Sequence, residues 1–355
     1  MMKFLIVRLG SLGDVVHALP AAAALRQHFS SARIDWLVDR RYAAALRLVS
    51  ILDHVIVLAG SRTAAAPATA PGRETHSAGW LGLLKTLGNL RGSAYDVAFD
   101  LQGLIRSAVL ARGSGARRVV GFDRAHLREQ PARLFYTESC DVGGAVHVVD
   151  KNLAALAAVG IRGAARTFPI DPAPSPVVGL VRDRLGLASD ERFVILNPGG
   201  GWPNKRWPPD RYGAAAAATR ERHGIRSVVL WGPGEQAMAD EVVAASHSAA
   251  VAAPPTDLAG VVALSRAARL FVGGDTGPLH LAAAVGAPIV GVYGPTDPAR
   301  NGPWQKEDEV VSRYNVCACH YQRRCREKRA CLLDVGVEEV IDAIDRRLAA
   351  DPPRS

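Results

Sequence analysis

Two aspartates stand in glycine-rich turns that each close a short apolar run: Asp14 in Gly10-Ser11-Leu12-Gly13-Asp14, and Asp275 in Gly273-Gly274-Asp275-Thr276-Gly277. At the carboxyl end of a parallel strand, where open α/β sheets gather their ligands, such a carboxylate can take a proton from an attacking hydroxyl. Asp is equally at home there as a helix cap, and for Asp14 position alone leaves both roles open. The second turn points to anion binding. Pro278 suits the first turn of an alanine-rich helix that stops near Gly286, with Thr276 or Asp275 as its cap. Free backbone N–H groups and a positive helix end then converge on one point. His280, one turn in, could add a donor. The plainer reading, a capped βαβ unit without a ligand, accounts less well for glycines on both sides of Asp275.

Other residues fit the same chemistry. Asn197 to Trp207, NPGGGWPNKRW, ends a strand in three glycines that let backbone approach a phosphate. Lys205 could then neutralise a departing diphosphate, or be a surface lysine. Glu235, after Trp231-Gly232-Pro233-Gly234, is placed to hold ribose hydroxyls or to start a helix in solvent. His17 could contact an acceptor or simply pack. Arg128 could grip an acidic or phosphorylated sugar bidentately, or be an exposed structural arginine. Cys317, Cys319, Cys325 and Cys331 fall within fifteen residues, with His320 among them. That density suggests a structural metal, but the C-x-C spacing lacks a second short pair, so free or redox-active thiols stay open. Cys140 stands alone and reads as packing.

Elements able to position these groups alternate along the chain. Strands are expected at Lys3–Leu9, Ile34–Val38, His54–Leu58, Val97–Asp100 and Arg117–Gly121. Helices are expected at Val15–Phe29, kinked at Pro20, and at Tyr42–Leu48, Trp80–Leu90, Ile105–Arg112 and Asp150–Val159. Gly60–Gly79 reads as a loop. Phe168–Val177, with four prolines, is a stiff linker. A second series follows it: strands at Phe193–Asn197, Ser227–Trp231, Leu270–Val272 and Ala287–Tyr293, and helices at Tyr212–Arg222, Ala237–Ala245 and Leu258–Arg266. A terminal helix spans 337–350. This is an α/β chain of two doubly wound, Rossmann-like domains, 1–170 and 171–355.

A net charge of +9 favours an acidic partner, but 6% aromatics with no interleaved basic stripe argues against nucleic acid. No signal-peptide core and no apolar run of membrane-spanning length is visible, so a cytoplasmic location is expected. Five cysteines in 355 residues are not a disulfide scaffold.

Several stretches resemble the ADP-heptose:lipopolysaccharide heptosyltransferases, glycosyltransferase family 9. Asp275-Thr276-Gly277-Pro278-Leu279-His280 is similar to the family's D-T-G-x-x-H, and Val292–Pro298 to its V-Y-G-P-T-D-P. Arg8 to His17 resembles its amino-terminal R-x-G-x-x-G-D-V-x-H, whose aspartate is taken as general base. Lys205-Arg206-Trp207-Pro208 resembles its K-x-W-P, and Asp100–Leu104 its D-x-Q-G-L. The resemblance covers nearly the whole chain, in the family's order, and is greatest to the heptosyltransferase I members. It implies a GT-B fold with a cleft between the domains, and an inverting glycosyltransferase that needs no metal for catalysis. Heptose would pass from ADP-heptose to a Kdo residue of the lipopolysaccharide inner core, with heptosyltransferase II or another family acceptor, or a non-catalytic nucleotide-sugar binder, as the rival readings. Asp14 would be catalytic. Gly200, Gly201, Lys205, Glu235, Asp275, Thr276, Gly277 and His280 would bind the donor, and His17, Gln102 and Arg128 the acceptor. The protein would be a monomer, peripheral to the cytoplasmic face of the inner membrane. Two departures stand out. Some members carry hydroxyl residues where Gly200 and Gly201 stand, leaving backbone contacts here. The expected loop over 60–79 holds only Arg62 and Arg73, where the best-known members are more basic.

Overall fold

The structure, a computed structural model, describes residues 1–58, 80–327 and 329–350. Arg62, Arg73 and the loop expected at Gly60–Gly79 lie outside the described residues. The chain divides at Asp171/Pro172 into two units.

The first unit carries β1 (Lys3–Val7), α1 (Leu12–His28), β2 (Arg33–Asp39), α2 (Ala43–Leu46), β3 (His54–Leu58), α3 (Trp80–Gly92), β4 (Val97–Asp100), α4 (Ile105–Gly113), β5 (Arg118–Phe122), β6 (Glu138–Cys140) and α5 (Val148–Ala154). Its six strands lie in the order β3-β2-β1-β4-β5-β6, every neighbouring pair parallel. The second unit carries α6 (Val177–Leu185), β7 (Val194–Asn197), α7 (Pro209–His223), β8 (Ser227–Val229), α8 (Gln236–Ala245), β9 (Ala250–Ala252), α9 (Leu258–Ala267), β10 (Leu270–Gly274), α10 (Gly277–Ala284), β11 (Ile289–Tyr293), α11 (Pro298–Asn301), β12 (Glu309–Ser312) and α12 (Val337–Ala349). Its order, β12-β11-β10-β7-β8-β9, is the same winding read from the other edge. Central strands are apolar on both faces because helices cover both: Phe4, Leu5, Ile6 and Val7 of β1 and Val194 and Ile195 of β7 are fully buried. In each sheet the winding reverses where the first strand of the unit meets its fourth, β1 against β4 and β7 against β10. The turns leaving those strands border a natural ligand crevice.

Three boundaries differ from expectation in ways that matter. β1 stops at Val7, and α1 starts at Leu12 with Ser11 as its cap residue, so Asp14 stands inside the first turn rather than ahead of it. α1 runs through Pro20 as one helix of 17 residues. α10 begins at Gly277, with Pro278 second, and the Thr276 side chain does not cap it.

Candidate functional site

The first unit gathers its polar groups where β1 meets β4. The Arg8 guanidinium, 3% exposed, donates to the Leu101 carbonyl and, at 2.6 Å, to Asp14 Oδ1. Asp14 Oδ2 accepts the Ser11 amide at 3.0 Å and its hydroxyl at 3.2 Å. Burial pushes the Asp14 carboxyl up. Arg8, then Arg128, the Ser11 amide and His17 together outweigh it and hold the group well below the usual carboxylate range. Gln102 Oε1 accepts the Leu9 N–H at 2.7 Å, so this side chain fastens the turn that carries Asp14. Gly10 is obligatory in that turn. Its φ is +152°, and a Cβ would lie 2.2 Å from the Tyr42 ring. Behind it Asp100 is fully buried, accepting the amides of Gln102 and Gly103, the Ser107 hydroxyl at 2.9 Å and the Tyr136 hydroxyl at 2.7 Å. Burial nonetheless keeps its carboxyl above the ordinary value. His17 is 2% exposed, its ring edge-on to that of His147 at 5.7 Å, and its carbonyl accepts Asn152 Nδ2 at 3.0 Å. This is a packed position rather than an open one. Arg128 is exposed.

The second unit gathers its groups where β7 meets β10. Asn197 Nδ2 donates to Thr276 Oγ1 at 3.0 Å, joining the two strand ends. Asp275, 7% exposed, is a hub. Its Oδ2 accepts Lys205 Nζ at 2.5 Å, and its Oδ1 faces His280 Nε2 at 2.9 Å and accepts Asn301 Nδ2 at 2.7 Å. Burial raises the carboxyl, but His280 and Lys205 hold it well below its usual range. Facing that carboxylate, His280 Nε2 carries the proton. Lys205 Nζ also lies 4.4 Å from the centre of the Trp202 ring, leaving the lysine fixed at the mouth of the turn. Neither Lys205 nor His280 is a freely waiting donor; both are oriented by Asp275.

Glu235 also serves a purpose the sequence did not suggest. Its two carboxylate oxygens accept the Gly200 amide at 2.9 Å and the Gly232 amide at 3.0 Å, stapling the turns after β7 and β8 together. A Cβ on Gly199 would come within 2.1 Å of that carboxylate. With Arg206 Nε on the Gly200 carbonyl at 2.7 Å, both backbone groups of Gly200 are engaged, while Gly201 is exposed. Sequence reasoning assigned no role to Arg8, Asn197 or Asn301: Asn197 and Asn301 find their partners only across the sheet, and Arg8 reaches across it to Leu101 as well as to the nearby Asp14. It also passed over Thr296, 3% exposed, whose hydroxyl has no partner among the described residues. A buried hydroxyl left so is a natural contact for a ligand.

The cysteine segment braces these turns from outside. Gln322 offers its carbonyl to Asn204 Nδ2 at 2.8 Å, Tyr321 N–H donates to the Pro295 carbonyl at 2.9 Å, and the buried Trp207 donates to Val335 at 3.0 Å. All five cysteines are free thiols, Cys319 and Cys325 with sulfurs 3.3 Å apart. Burial, then Cys317, pushes the Cys331 thiol up to about 12. Among the described residues no group of three or more His, Cys, Asp or Glu side chains is arranged to hold a metal ion. Cys140 closes β6, 7% exposed, its thiol 3.0 Å from the Ala154 carbonyl.

The model of glycosyltransferase family 9 (heptosyltransferase) matches residues 83–331. Lipopolysaccharide heptosyltransferase 1 of Pseudomonas aeruginosa is 30% identical over 336 residues, 91% of this chain and 87% of that protein. Lipopolysaccharide heptosyltransferase 3 of Escherichia coli K12 is 26% identical, over 96% of each chain. Among solved structures, the E. coli heptosyltransferase WaaC with ADP superposes with a TM-score of 0.72 at 24% identity, covering 98% of this chain and 100% of that one. The doubly wound pair of sheets is therefore the GT-B fold.

Proposed function

The chain belongs to glycosyltransferase family 9, the heptosyltransferases, and we propose that it moves L-glycero-D-manno-heptose from ADP-heptose to a Kdo residue of the lipopolysaccharide inner core, with inversion and without a metal. The observation that carries this reading is Asp14. It is a carboxylate held ionised by a buried arginine, at the strand end where the sheet's winding reverses. An acceptor hydroxyl attacks the anomeric carbon from the face opposite the diphosphate. The new C–O bond forms as the bond to ADP breaks, the electron pair leaves with ADP, and the hydroxyl proton passes to Asp14. The lowered pKa of Asp14 suits a late transfer: the hydroxyl becomes strongly acidic as its oxygen bonds to carbon, and the carboxylate is ready in its basic form at any working pH. Arg8 and Gln102 position this base; Arg128 supplies a cation beside it for an acidic acceptor sugar.

The donor half rests on the start of α10 and on Lys205. Free N–H groups at Gly277 and the positive helix end favour a diphosphate, and Lys205 adds a fixed charge for the developing one on ADP. Asp275 holds Lys205 in place for this, and the Glu235 staple holds the two glycine turns that border it. The relatives named for both heptosyltransferase 1 and heptosyltransferase 3 favour a core-sugar acceptor and leave its position in the core to experiment. Among the described residues no helix is long and apolar enough to cross a membrane, consistent with an enzyme that works from the cytoplasmic face of the inner membrane.

A donor screen by thermal shift tests the reading. ADP-heptose should raise the melting temperature more than UDP- or GDP-sugars; stabilisation by UDP-sugars alone would overturn the donor assignment. Mass spectrometry of products from Kdo-terminated and heptose-terminated lipid A then decides the acceptor. Addition only to the heptose-terminated molecule would replace the heptosyltransferase I assignment by heptosyltransferase II.

A further inference from the structure

Three adjacent strands of the second sheet are each led in by an arginine: Arg192 before β7, Arg226 before β8 and Arg269 before β10. The strands run parallel in the order β10-β7-β8, so the arginines gather at one edge, opposite the turns that carry Lys205, Glu235 and Asp275. The length of a strand, roughly 15 Å, separates the two edges. The Arg269 N–H donates to the Phe193 carbonyl at 2.8 Å and the Val194 N–H to the Arg226 carbonyl at 3.0 Å, which sets these two arginines on either side of the start of β7. Between the arginines and the ends of α7, α9, α10 and α12 lies a cavity of about 930 Å³, the size of a small-molecule site. Arg266, near the end of α9, also lines it, and two exposed carboxylates, Asp190 and Glu191, stand on the segment leading into β7. Among the described residues neither carboxylate forms an ion pair with these arginines; Glu191 accepts the Ala188 N–H at 2.7 Å. His223, on the same wall, is paired with Asp345 at 2.6 Å.

Part of this arrangement has a plain structural role. Helix carboxyl ends favour cations. Arg226 donates to the Leu185 carbonyl at the end of α6, and Arg269 to the Leu348 carbonyl of α12 at 2.9 Å. Three features are left over. Arg192 is exposed and has no hydrogen bond or ion pair among the described residues. The buried Arg226 Nε has no partner among them. Ser265 is fully buried where it lines the cavity, and its hydroxyl has none either, although a helical serine ordinarily turns back to a carbonyl one turn earlier. Buried polar groups left unpaired are costly unless a ligand completes them. We infer that the cavity binds a sugar phosphate. The guanidiniums of Arg192 and Arg226 hold the phosphate, whose oxygens match their forked donors. Asp190, Glu191 and the Ser265 hydroxyl take hydroxyls of the sugar. The carboxylates decide the class of ligand. A bare anion would meet them as like charges, whereas a molecule with one anionic end and one hydroxyl-bearing end satisfies both signs. This site lies at the other edge of the sheet from the donor turns and goes beyond the donor reading above.

Calorimetric titration of the full-length protein with ribose 5-phosphate, in saturating ADP, tests it. Wild type should bind one ribose 5-phosphate per chain, inorganic phosphate more weakly, and ribose not at all. Arg192→Gln should weaken ribose 5-phosphate by about tenfold, the worth of one charge-assisted hydrogen bond. Ser265→Ala should weaken it a few-fold, while the melting temperature of the free protein does not fall, because that hydroxyl has no bond in the protein to lose. Neither substitution should change the affinity for ADP. No binding of ribose 5-phosphate in saturating ADP would overturn the inference, and so would affinities in Arg192→Gln and Ser265→Ala equal to that of wild type. Inorganic phosphate binding as tightly as ribose 5-phosphate would overturn the assignment of the carboxylates to sugar hydroxyls. Ribose 5-phosphate that binds the free protein and is displaced by ADP would belong to the donor turns, and would equally remove the second site. A protein that fails to bind ADP yet binds ribose 5-phosphate through Arg192 would lose the proposed donor and keep this cavity.

Discussion

Asp14 and Asp275 look alike in the chain and differ in company. Asp14 meets one buried arginine and a local amide, and retains 19% of its side-chain surface; Asp275 is shared by a lysine, a histidine and an asparagine and retains 4%. Asp14→Asn keeps the shape but cannot accept a proton. It should lower kcat by ~10²–10⁴-fold, with ADP affinity by calorimetry unchanged; turnover within a few-fold of wild type would move the base elsewhere. Asp275→Asn should act on stability and donor binding instead. A carboxyl whose folded pKa lies below its unfolded value of ~3.9 stabilises the fold fully above that value, and loses the contribution as pH falls toward the folded one. The melting temperature of wild type should thus fall more steeply below about pH 4 than that of Asp275→Asn. Parallel curves would mean that Asp275 does not anchor its neighbours. The two aspartates were legible because their types and glycine-rich surroundings are local. Asn301, 26 residues from Asp275, and Leu101, 93 residues from Arg8, were not. Those pairings exist only once the strands are ordered.

The turns after β7 and β8 behave as one element because Glu235 joins them. Gly199→Ala would drive a methyl into that carboxylate, so its bonds to Gly200 and Gly232 must loosen. The expected cost is ~1–3 kcal/mol, read as a lower melting temperature with weaker ADP binding. In the background of Glu235→Ala the same substitution should cost far less, because contacting residues are not additive. Equal costs in both backgrounds would show the clash to be relieved in some other way. The central elements were readable from apolar runs and glycine turns. The strands that escaped, β6, β9 and β12, all lie at sheet edges, three or four residues long and only partly buried. At that length a strand offers too few residues for a pattern to declare itself, whereas β3, the fourth edge strand, is five residues long and was legible. α6 escaped for a related reason, since it follows directly on the proline-rich linker and exposes Leu180 at 49%.

At the scale of the whole molecule, catalysis should continue in excess EDTA, because Lys205 and the start of α10 supply the positive charge. Turnover that vanished on chelation and returned with Mg²⁺ would overturn that account. Elemental analysis of anaerobically purified protein would settle the cysteine segment separately: metal at one per chain would mean that the thiols bind it. The repeated winding has one more consequence, and it is thermal. Each half closes its own six-stranded sheet over its own buried core, and only the second carries the Lys205–Asp275 turn. A ligand stabilises by mass action the structure that binds it, by about 2.7 kcal/mol at a hundred times its dissociation constant. In a scanning calorimeter ADP should therefore displace one heat-absorption peak upward and leave another where it was, so that a single chain records on one trace which of its halves holds the nucleotide.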